Sequence, residues 1–529
     1  MVLAPIDWTI ILVYLVGCVA AGVWMRRYVR NVEDFAVAGR EMDLNLGVAS
    51  LAATEVGIVT VMYTAENGFK NGLAGATPGL LACIMMLLVG VTGFVIVPMR
   101  NAGVMTIPEL FEKRFGKQVR WLAGVVVILG GVLNMGIFLR LGGDFLMYVS
   151  GLDPKHTIEV PGAGFQLSML EAMMTGLLAV VLLYTALGGM LSVLITDYLQ
   201  FLVMGAGIVV TSVLVIWNVG WSNLIHGLWE AHATGARLID TSIPGQPAEI
   251  AMAHPFNPIR TFGWGWVTWQ AMLSMAIVTT WQTTIARVLA ARDASTAKAI
   301  YRRTSFYYVG RFGLPGLWGI GAFLYFWSKG GLPEGVGSLT AMPAYLHTIL
   351  GPGLLGIVIA AMLAAEMSTD SGYLLTWATV IYNDIISPCL RKPMAPWAKL
   401  LTVRLLVLAI GAFLVFYGLW YQLPGAAWDY LAVTGNIYMA SLFTLLVAAL
   451  YWPRANSWGA IAAIILGAIG PITFLVVNAV VEKKDQISPE TAGWSAFGMA
   501  FAGMIFGSLI GQAMAKGKPA SSPATTNKP

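Results

Sequence analysis

The sequence predicts an all-α membrane protein of about thirteen transmembrane helices, and three observations carry that reading. Of its 529 residues, 58% are hydrophobic and 11% charged, with a mean hydropathy of +0.75, whereas soluble domains carry about 25% charged residues. Apolar runs of about 20 residues, long enough to cross the hydrocarbon core, recur along the whole chain. The basic residues are also distributed unequally between alternate connections. Together these exclude a soluble globular protein and most soluble enzyme classes. The net charge of +5 is spread over short connections, so the expected partner is a lipid bilayer and not nucleic acid.

Runs bounded by charge, Pro and Gly place the spans at 8–25, 46–67, 79–98, 121–150, 168–187, 190–217, 262–281, 305–327, 354–386, 397–416, 427–451, 458–481 and 492–513. The first run is followed by Met25-Arg26-Arg27-Tyr28-Val29-Arg30 and lacks a basic leader before it, so it is retained as a span rather than cleaved. An odd number of spans puts the two ends on opposite sides. With the N-terminus outside, 21 Lys and Arg, Arg287 among them, fall in inside connections and 7 in outside ones, while Arg140, Arg311 and Arg404 lie within spans. Basic residues are retained on the cytoplasmic face, which predicts an N-terminus outside and a C-terminus inside; the lack of an evident targeting leader fits a bacterial inner membrane.

The connection over 220–261 is rich in Gly, Pro, His and Thr and is expected to form short surface helices or a lid. All five histidines (His156, His226, His232, His254, His347) fall in outside connections, and no pair has metal-ligand spacing, so they read as scattered surface residues. Cys18, Cys83 and Cys389 form neither a disulfide framework nor a thiolate metal site. Residues 514–529 read as a disordered cytoplasmic tail.

Ionisable groups inside spans cost several kcal/mol and are candidates for function. Glu55, Arg140, Asp144, Asp197, Arg311, Glu366, Asp370 and Arg404 qualify. Arg140 and Asp144 stand four apart on one helix face, so they either neutralise each other or leave Arg140 to receive a substrate carboxylate. The second span reads Leu46-Gly47-Val48-Ala49-Ser50-Leu51-Ala52-Ala53-Thr54-Glu55-Val56-Gly57. Small residues, an acid and a glycine at mid-helix suit an unwound segment whose free carbonyls bind a cation or solute. In the ninth span, Ala365, Ser368 and Thr369 share one helix face. A carbonyl and two hydroxyls there suit sodium, a hard cation that prefers oxygen ligands; alternatively the hydroxyls bond back to the preceding turn.

Several segments resemble the sodium/solute symporter family, which includes the sodium/proline and sodium/glucose carriers. They are Asp34-Phe35-Ala36-Val37-Ala38-Gly39-Arg40, Thr106-Ile107-Pro108-Glu109-Leu110-Phe111-Glu112-Lys113-Arg114-Phe115-Gly116, and Tyr184-Thr185-Ala186-Leu187-Gly188-Gly189 with Thr196-Asp197 and Gln200. Trp281-Gln282 before Arg287-Val288-Leu289-Ala290-Ala291-Arg292-Asp293, and the run from Ala365 to Ser371, complete the set. The resemblance covers about residues 7 to 450. It implies a leucine-transporter-like fold of two inverted five-helix repeats, 46–217 and 262–451, each with a discontinuous helix. The extra N-terminal span (1–26) and two C-terminal ones (458–513) lie outside them.

The resemblance also implies a non-enzymatic, sodium-coupled symporter that imports a small organic solute by alternating access, with Na+ as cofactor and with no obligate protein partner. Its sodium ligands would be the carbonyls of Ala53, Val56 and Ala365 and the hydroxyls of Ser368 and Thr369. Asp197 would mark the sodium exit route or a second sodium; Ser371 is present, but Gly372 replaces the next hydroxyl of two-sodium members. Candidate substrate contacts are Glu55, Gly57, Arg140, Ser274 and Gln282. Glu55 stands where proline-type carriers have an aspartate, and could bind a substrate amine, pair with Arg140 or serve cation access. Ser274, Ile277 and Tyr308 stand where sugar carriers have Asn, Tyr and Lys, which argues against a hexose. Glu366 and Asp370 point to other helix faces and are expected to pair with Arg311 or Arg404.

Two alternatives retain the same fold. One is a solute sensor, against which the chain shows no soluble signalling domain. The other is a proton-coupled carrier using Glu55 or Asp370, which would have no need of the neutral oxygens of Ser368 and Thr369. A membrane-embedded enzyme lacks a His-Glu metal motif or a Ser-His-Asp arrangement.

Overall fold

The computed structural model describes residues 3–25, 27, 40–152, 156–159, 166–242, 247–420, 427–481 and 486–516. The segment Asp34 to Gly39 and the tail beyond 516 lie outside the described residues. Arg40, at the end of that segment, donates to the carbonyls of Gly103 (3.0 Å) and Val104 (3.3 Å).

The chain is almost wholly helical. The first span is α1 (Pro5–Met25). The second is two helices, α2 (Leu44–Glu55) and α3 (Ile58–Asn71), separated at Val56 (φ −118°, ψ 84°) and the extended Gly57 (φ −87°, ψ 170°). α2 starts on an Asp43 cap that accepts from the Leu46 N–H at 2.9 Å. α4 (Thr77–Thr92) returns, α5 (Ile107–Phe115) lies in the following connection, and α6 (Lys117–Met135) and α7 (Phe138–Ser150) form the fourth span with a bend at Gly136–Ile137.

Spans five and six are one continuous stretch, α8 (Met169–Val219). Straight, its 51 residues would run about 76 Å at 1.5 Å per residue, far beyond a bilayer core. It folds back at Gly189, whose φ of 54° and ψ of −150° are accessible to glycine alone. Tyr184 and Ser192, on either side of the turn, both meet Gly22 of α1, and the Ser192 hydroxyl donates to the Gly22 carbonyl at 2.8 Å.

Beyond α9 (Trp221–Ala233) and a hairpin, the seventh span is again broken. α10 (Pro258–Thr280) ends at Trp281 (φ −64°, ψ 109°) and α11 (Gln282–Ala290) restarts at once. Then follow α12 (Ala294–Thr304), α13 (Tyr307–Ser328), α14 (Ala341–Ile349), α15 (Leu354–Val380), α16 (Pro396–Trp420), α17 (Ala427–Tyr451), α18 (Ser457–Asn478) and α19 (Pro489–Lys516). α15 is buried on nearly every face, as expected of a helix at the centre of a large bundle. Its neighbours α8 and α16 turn Leu202, Val209, Leu405 and Phe416 outward, the apolar belt a bilayer requires.

Among the described residues, nine helices are long and apolar enough to cross a membrane. Two of them, Ile58–Thr92 and Met169–Val219, each run through two expected spans, and the helices over Pro258–Thr280 and Tyr307–Ser328 are not in this set. Gly, Thr, Gln, Arg and Pro dilute those two, in keeping with their place beside the central cavity.

The 220–261 connection forms α9 and an antiparallel hairpin of β3 (Arg237–Asp240) with β4 (Ala248–Ala251); a second hairpin pairs β1 (Thr157–Glu159) with β2 (Gln166–Ser168). The histidines are less scattered than their spacing suggests. His232 and His254 come within 5.1 Å, ring centre to ring centre, beside Trp229. No group of three or more metal-ligating side chains occurs among the described residues.

Candidate functional site

The break in the second span abuts the hydroxyl face of α15. The Thr369 hydroxyl donates to the Thr54 carbonyl at 3.2 Å, and a Cβ at position 57 would lie 2.6 Å from that hydroxyl oxygen, so Gly57 is what lets the broken helix approach α15. Ala53, Val56, Ala365, Ser368 and Thr369 are all buried here. The Val56 N–H bonds to the Ala53 carbonyl at 3.2 Å, tightening the last turn of α2 before the chain unwinds. The donor set, carbonyls and hydroxyls around an unwound turn, fits a small hard cation.

Behind these oxygens sits Asp197 of α8, wholly buried. One carboxylate oxygen accepts from Ser368 Oγ at 2.6 Å; the other accepts from Ser50 Oγ at 2.6 Å, Thr54 Oγ1 at 3.3 Å and Arg287 Nη2 at 3.3 Å. Arg287 is a correction to the sequence reading, which counted it in an inside connection. It is the fourth residue from the end of α11, has no exposed surface, and also donates to Thr54 Oγ1 (2.6 Å), Ser50 Oγ (3.3 Å) and the Thr283 carbonyl (3.1 Å). The signal that could have placed it is the apolar run Val288-Leu289-Ala290-Ala291 that follows it.

Between the two broken helices lies a cavity of about 90 Å3, bounded also by α4, α6, α7, α13, α15 and α17. Its wall is mostly apolar and aromatic, with Tyr63, Phe138, Trp281, Phe312, Tyr373 and Trp428 around one ion pair, Glu55 and Arg311. Arg311 Nη1 donates to Glu55 Oε2 at 2.6 Å, and Nη2 reaches Thr60 Oγ1 and Tyr63 Oη at 3.3 Å each. The Thr284 hydroxyl donates to the other Glu55 oxygen.

Of the five candidate substrate contacts, Glu55 and Ser274 line this cavity. Gly57 faces Thr369, and Gln282 Oε1 accepts from the Ile107 N–H of α5 at 3.3 Å, away from the wall. Arg140 pairs with Asp144 at 3.6 Å and is 37% exposed; it is not part of the lining. The cation in the cavity is Arg311. Ser274, Ile277 and Tyr308, which the resemblance sets at sugar-recognising positions, all line the wall.

The expected pairing of Glu366 and Asp370 with Arg311 or Arg404 is not formed. Arg311 is engaged by Glu55, and Arg404 Nη2 donates to the Leu187 carbonyl at 3.0 Å. Glu366 lies against Gly142 of α7, where a Cβ would come within 2.9 Å of its carboxylate. Among the described residues, neither carboxylate of Asp370 or Glu366 meets a side-chain hydrogen-bond donor.

On the side where α5 lies, a polar cluster joins three elements. Thr106 caps α5 and donates to Asp384 Oδ1 at 2.9 Å. Arg120 donates to the same oxygen at 2.9 Å, to Glu112 at 2.5 Å and to the Asn383 carbonyl at 2.6 Å. The loop motif that begins at Thr106 thus clamps the end of the ninth span.

Two helices broken at corresponding places, a central helix presenting hydroxyls to one break, and a cavity between them define a secondary transporter of leucine-transporter-like fold. The chain belongs to the sodium:solute symporter family, whose sequence profile matches residues 35–467. It is 26% identical over 513 residues to a sodium/glucose cotransporter 4 of Danio rerio, spanning 90% of this chain and 72% of that one. It is 25% identical to a sodium/glucose cotransporter of Vibrio parahaemolyticus, spanning 89% and 84%. Among solved structures, a substrate-bound, outward-open Na+-coupled sialic acid symporter superposes with a TM-score of 0.78 at 17% identity, covering 96% of this chain and 98% of that chain. The protein is a multi-pass membrane protein that couples solute movement to sodium.

Proposed function

We propose that the protein imports a small organic solute, other than a hexose, across a bacterial inner membrane with its N-terminus outside, its C-terminus in the cytoplasm and thirteen spans. The solute crosses chemically unchanged and without an obligate protein partner. Repeats 46–217 and 262–451 form the transport core, flanked by 1–26 and 458–513, with 514–529 as a tail. Sodium is held by the carbonyls of Ala53, Val56 and Ala365 and the hydroxyls of Ser368 and Thr369, and the solute by the cavity beside Glu55 and Ser274. The observation that carries this reading is the meeting of Thr369 with Thr54 and Gly57, because it joins a break in the first repeat to a helix of the second.

A cation bridging α2 and α15 favours one arrangement of the repeats, and the solute then occupies the adjoining cavity. The membrane potential supplies about 2.3 kcal/mol per charge per 100 mV, to which the sodium gradient adds. Against a hexose stand the wall's apolar character and the side chains of Ser274, Ile277 and Tyr308. Proteoliposomes driven by an inward sodium gradient test the reading with panels of carboxylates, amino acids and sugars. Uptake of a non-sugar solute that glucose does not inhibit is expected; sodium-driven glucose uptake would overturn the substrate assignment.

A further inference from the structure

We infer that Arg311 and Tyr308 form a carboxylate subsite beside Glu55, and that the solute is a compact zwitterion bearing one carboxylate and one amino group. The inference rests on the substrate cavity proposed above and names the chemistry that this cavity selects.

Two donors on the cavity wall are unspent. Arg311 Nε and the Tyr308 hydroxyl are buried and have no hydrogen-bond partner among the described residues, and both side chains line the cavity. A buried donor without a partner costs free energy that an incoming acceptor recovers. The edge of a guanidinium formed by Nε and Nη2 is a fork that can receive both oxygens of a carboxylate. Here Nη2 is held only by two hydroxyls at 3.3 Å, those of Thr60 and Tyr63, while Nη1 makes the tight contact with Glu55 at 2.6 Å. The fork is also fixed in place, because the guanidinium carbon lies 5.2 Å from the ring centre of Tyr308 and 5.4 Å from that of Phe312.

Glu55 decides what else the solute carries. A bare anion on Arg311 would sit beside the Glu55 carboxylate on the same guanidinium, and a bare cation on Glu55 would sit beside Arg311. Like charges repel strongly where the wall is apolar and water is scarce. A zwitterion avoids both: its carboxylate takes the fork and its amino group takes Glu55, with no net charge added. The two Glu55 side-chain oxygens each accept from one donor, Thr284 and Arg311, and so keep a lone pair for a third. The volume of about 90 Å3 restricts the apolar body between the two poles to a small one.

The test reads solute binding to the purified full chain as a shift in melting temperature, in sodium and in potassium at equal ionic strength. The panel holds α-amino acids, ω-amino acids and betaines, each set against its deaminated carboxylate and its decarboxylated amine, with glucose and myo-inositol as polyols. At least one zwitterion is expected to stabilise the parent in sodium at a concentration where neither of its singly charged counterparts does. Arg311→Lys keeps the charge without the fork, and Tyr308→Phe keeps the ring without the hydroxyl. Each is expected to weaken that zwitterion about ten- to hundredfold while the stabilisation by sodium alone persists. Glu55→Gln is expected to favour the deaminated carboxylate over the zwitterion. Stabilisation by a monocarboxylate, an amine or a polyol but by no zwitterion would overturn the inference, as would a panel to which the parent does not respond, or parent-like binding by both Arg311→Lys and Tyr308→Phe. A zwitterion that stabilised the parent equally in sodium and potassium would instead sink the sodium site and leave this subsite standing.

Discussion

Two buried ion pairs, Glu55 with Arg311 and Asp197 with Arg287, differ in what surrounds them. Glu55 and Arg311 meet at 2.6 Å on the wall of the cavity, their side chains 5% and 12% exposed. Asp197 and Arg287 meet at 3.3 Å with no exposure at all, inside a ring of hydroxyls. The first pair can exchange partners with a solute that enters beside it. The second is sealed, so any rearrangement there must break the packing that seals it. One pair borders the cavity, and the other ties α8 to α11 beside the break in the second span.

The largest expected effect tests the sealed pair. Asp197→Ala leaves Arg287 as an uncompensated buried charge, and removing one partner of such a pair costs about 3–5 kcal/mol; thermal melting in detergent should fall steeply and its sodium dependence should vanish. A variant that melted like the parent would show that the pair is not sealed.

Next comes Ser368→Ala with Thr369→Ala. A ligand bound only by the folded state adds RT ln(1 + [L]/Kd), about 2.7 kcal/mol at 100 times Kd, and this sodium-specific increment, measured against potassium at equal ionic strength, should disappear. Equal melting curves in sodium and potassium for the parent would remove the main support for the site.

Glu55→Gln tests the open pair. It strips the counter-charge from Arg311 but leaves Thr60 and Tyr63 in place, so a loss of about 1–3 kcal/mol is expected. Sodium stabilisation should persist while uptake fails. Loss of both together would mean that the two pairs are not separable. The smallest effect belongs to Arg140→Gln, since half-exposed pairs contribute about 0–1 kcal/mol; melting and uptake should both stay near the parent's, and a lost uptake would return Arg140 to the solute pathway.

The broken helix of the second span was legible because Ser50 to Gly57 places small residues, an acid and a glycine where an apolar helix has no use for them. Its counterpart was legible only through family resemblance. Thr279, Thr280 and Trp281 contain neither Pro nor Gly, and the break there is imposed by tertiary contacts. The hydroxyl face of the ninth span followed from helical period alone. The partners of the intramembrane charges did not, because pairing is a property of the assembled bundle. Arg311 and Glu55 are 256 residues apart. Arg287 was assigned to a connection because a charge normally ends an apolar run; in a bundle this large a charge can be buried when another helix supplies its counter-ion.

The turn at Gly189 has a consequence for how the chain enters the membrane. Leu187-Gly188-Gly189-Met190 carries no charge, so nothing at the tip itself is retained on one face by the insertion machinery. With a one-residue turn, α8 has no tether that would let its second half wait for its first. The two halves are therefore expected to insert as a preformed hairpin, oriented by the segments that flank it.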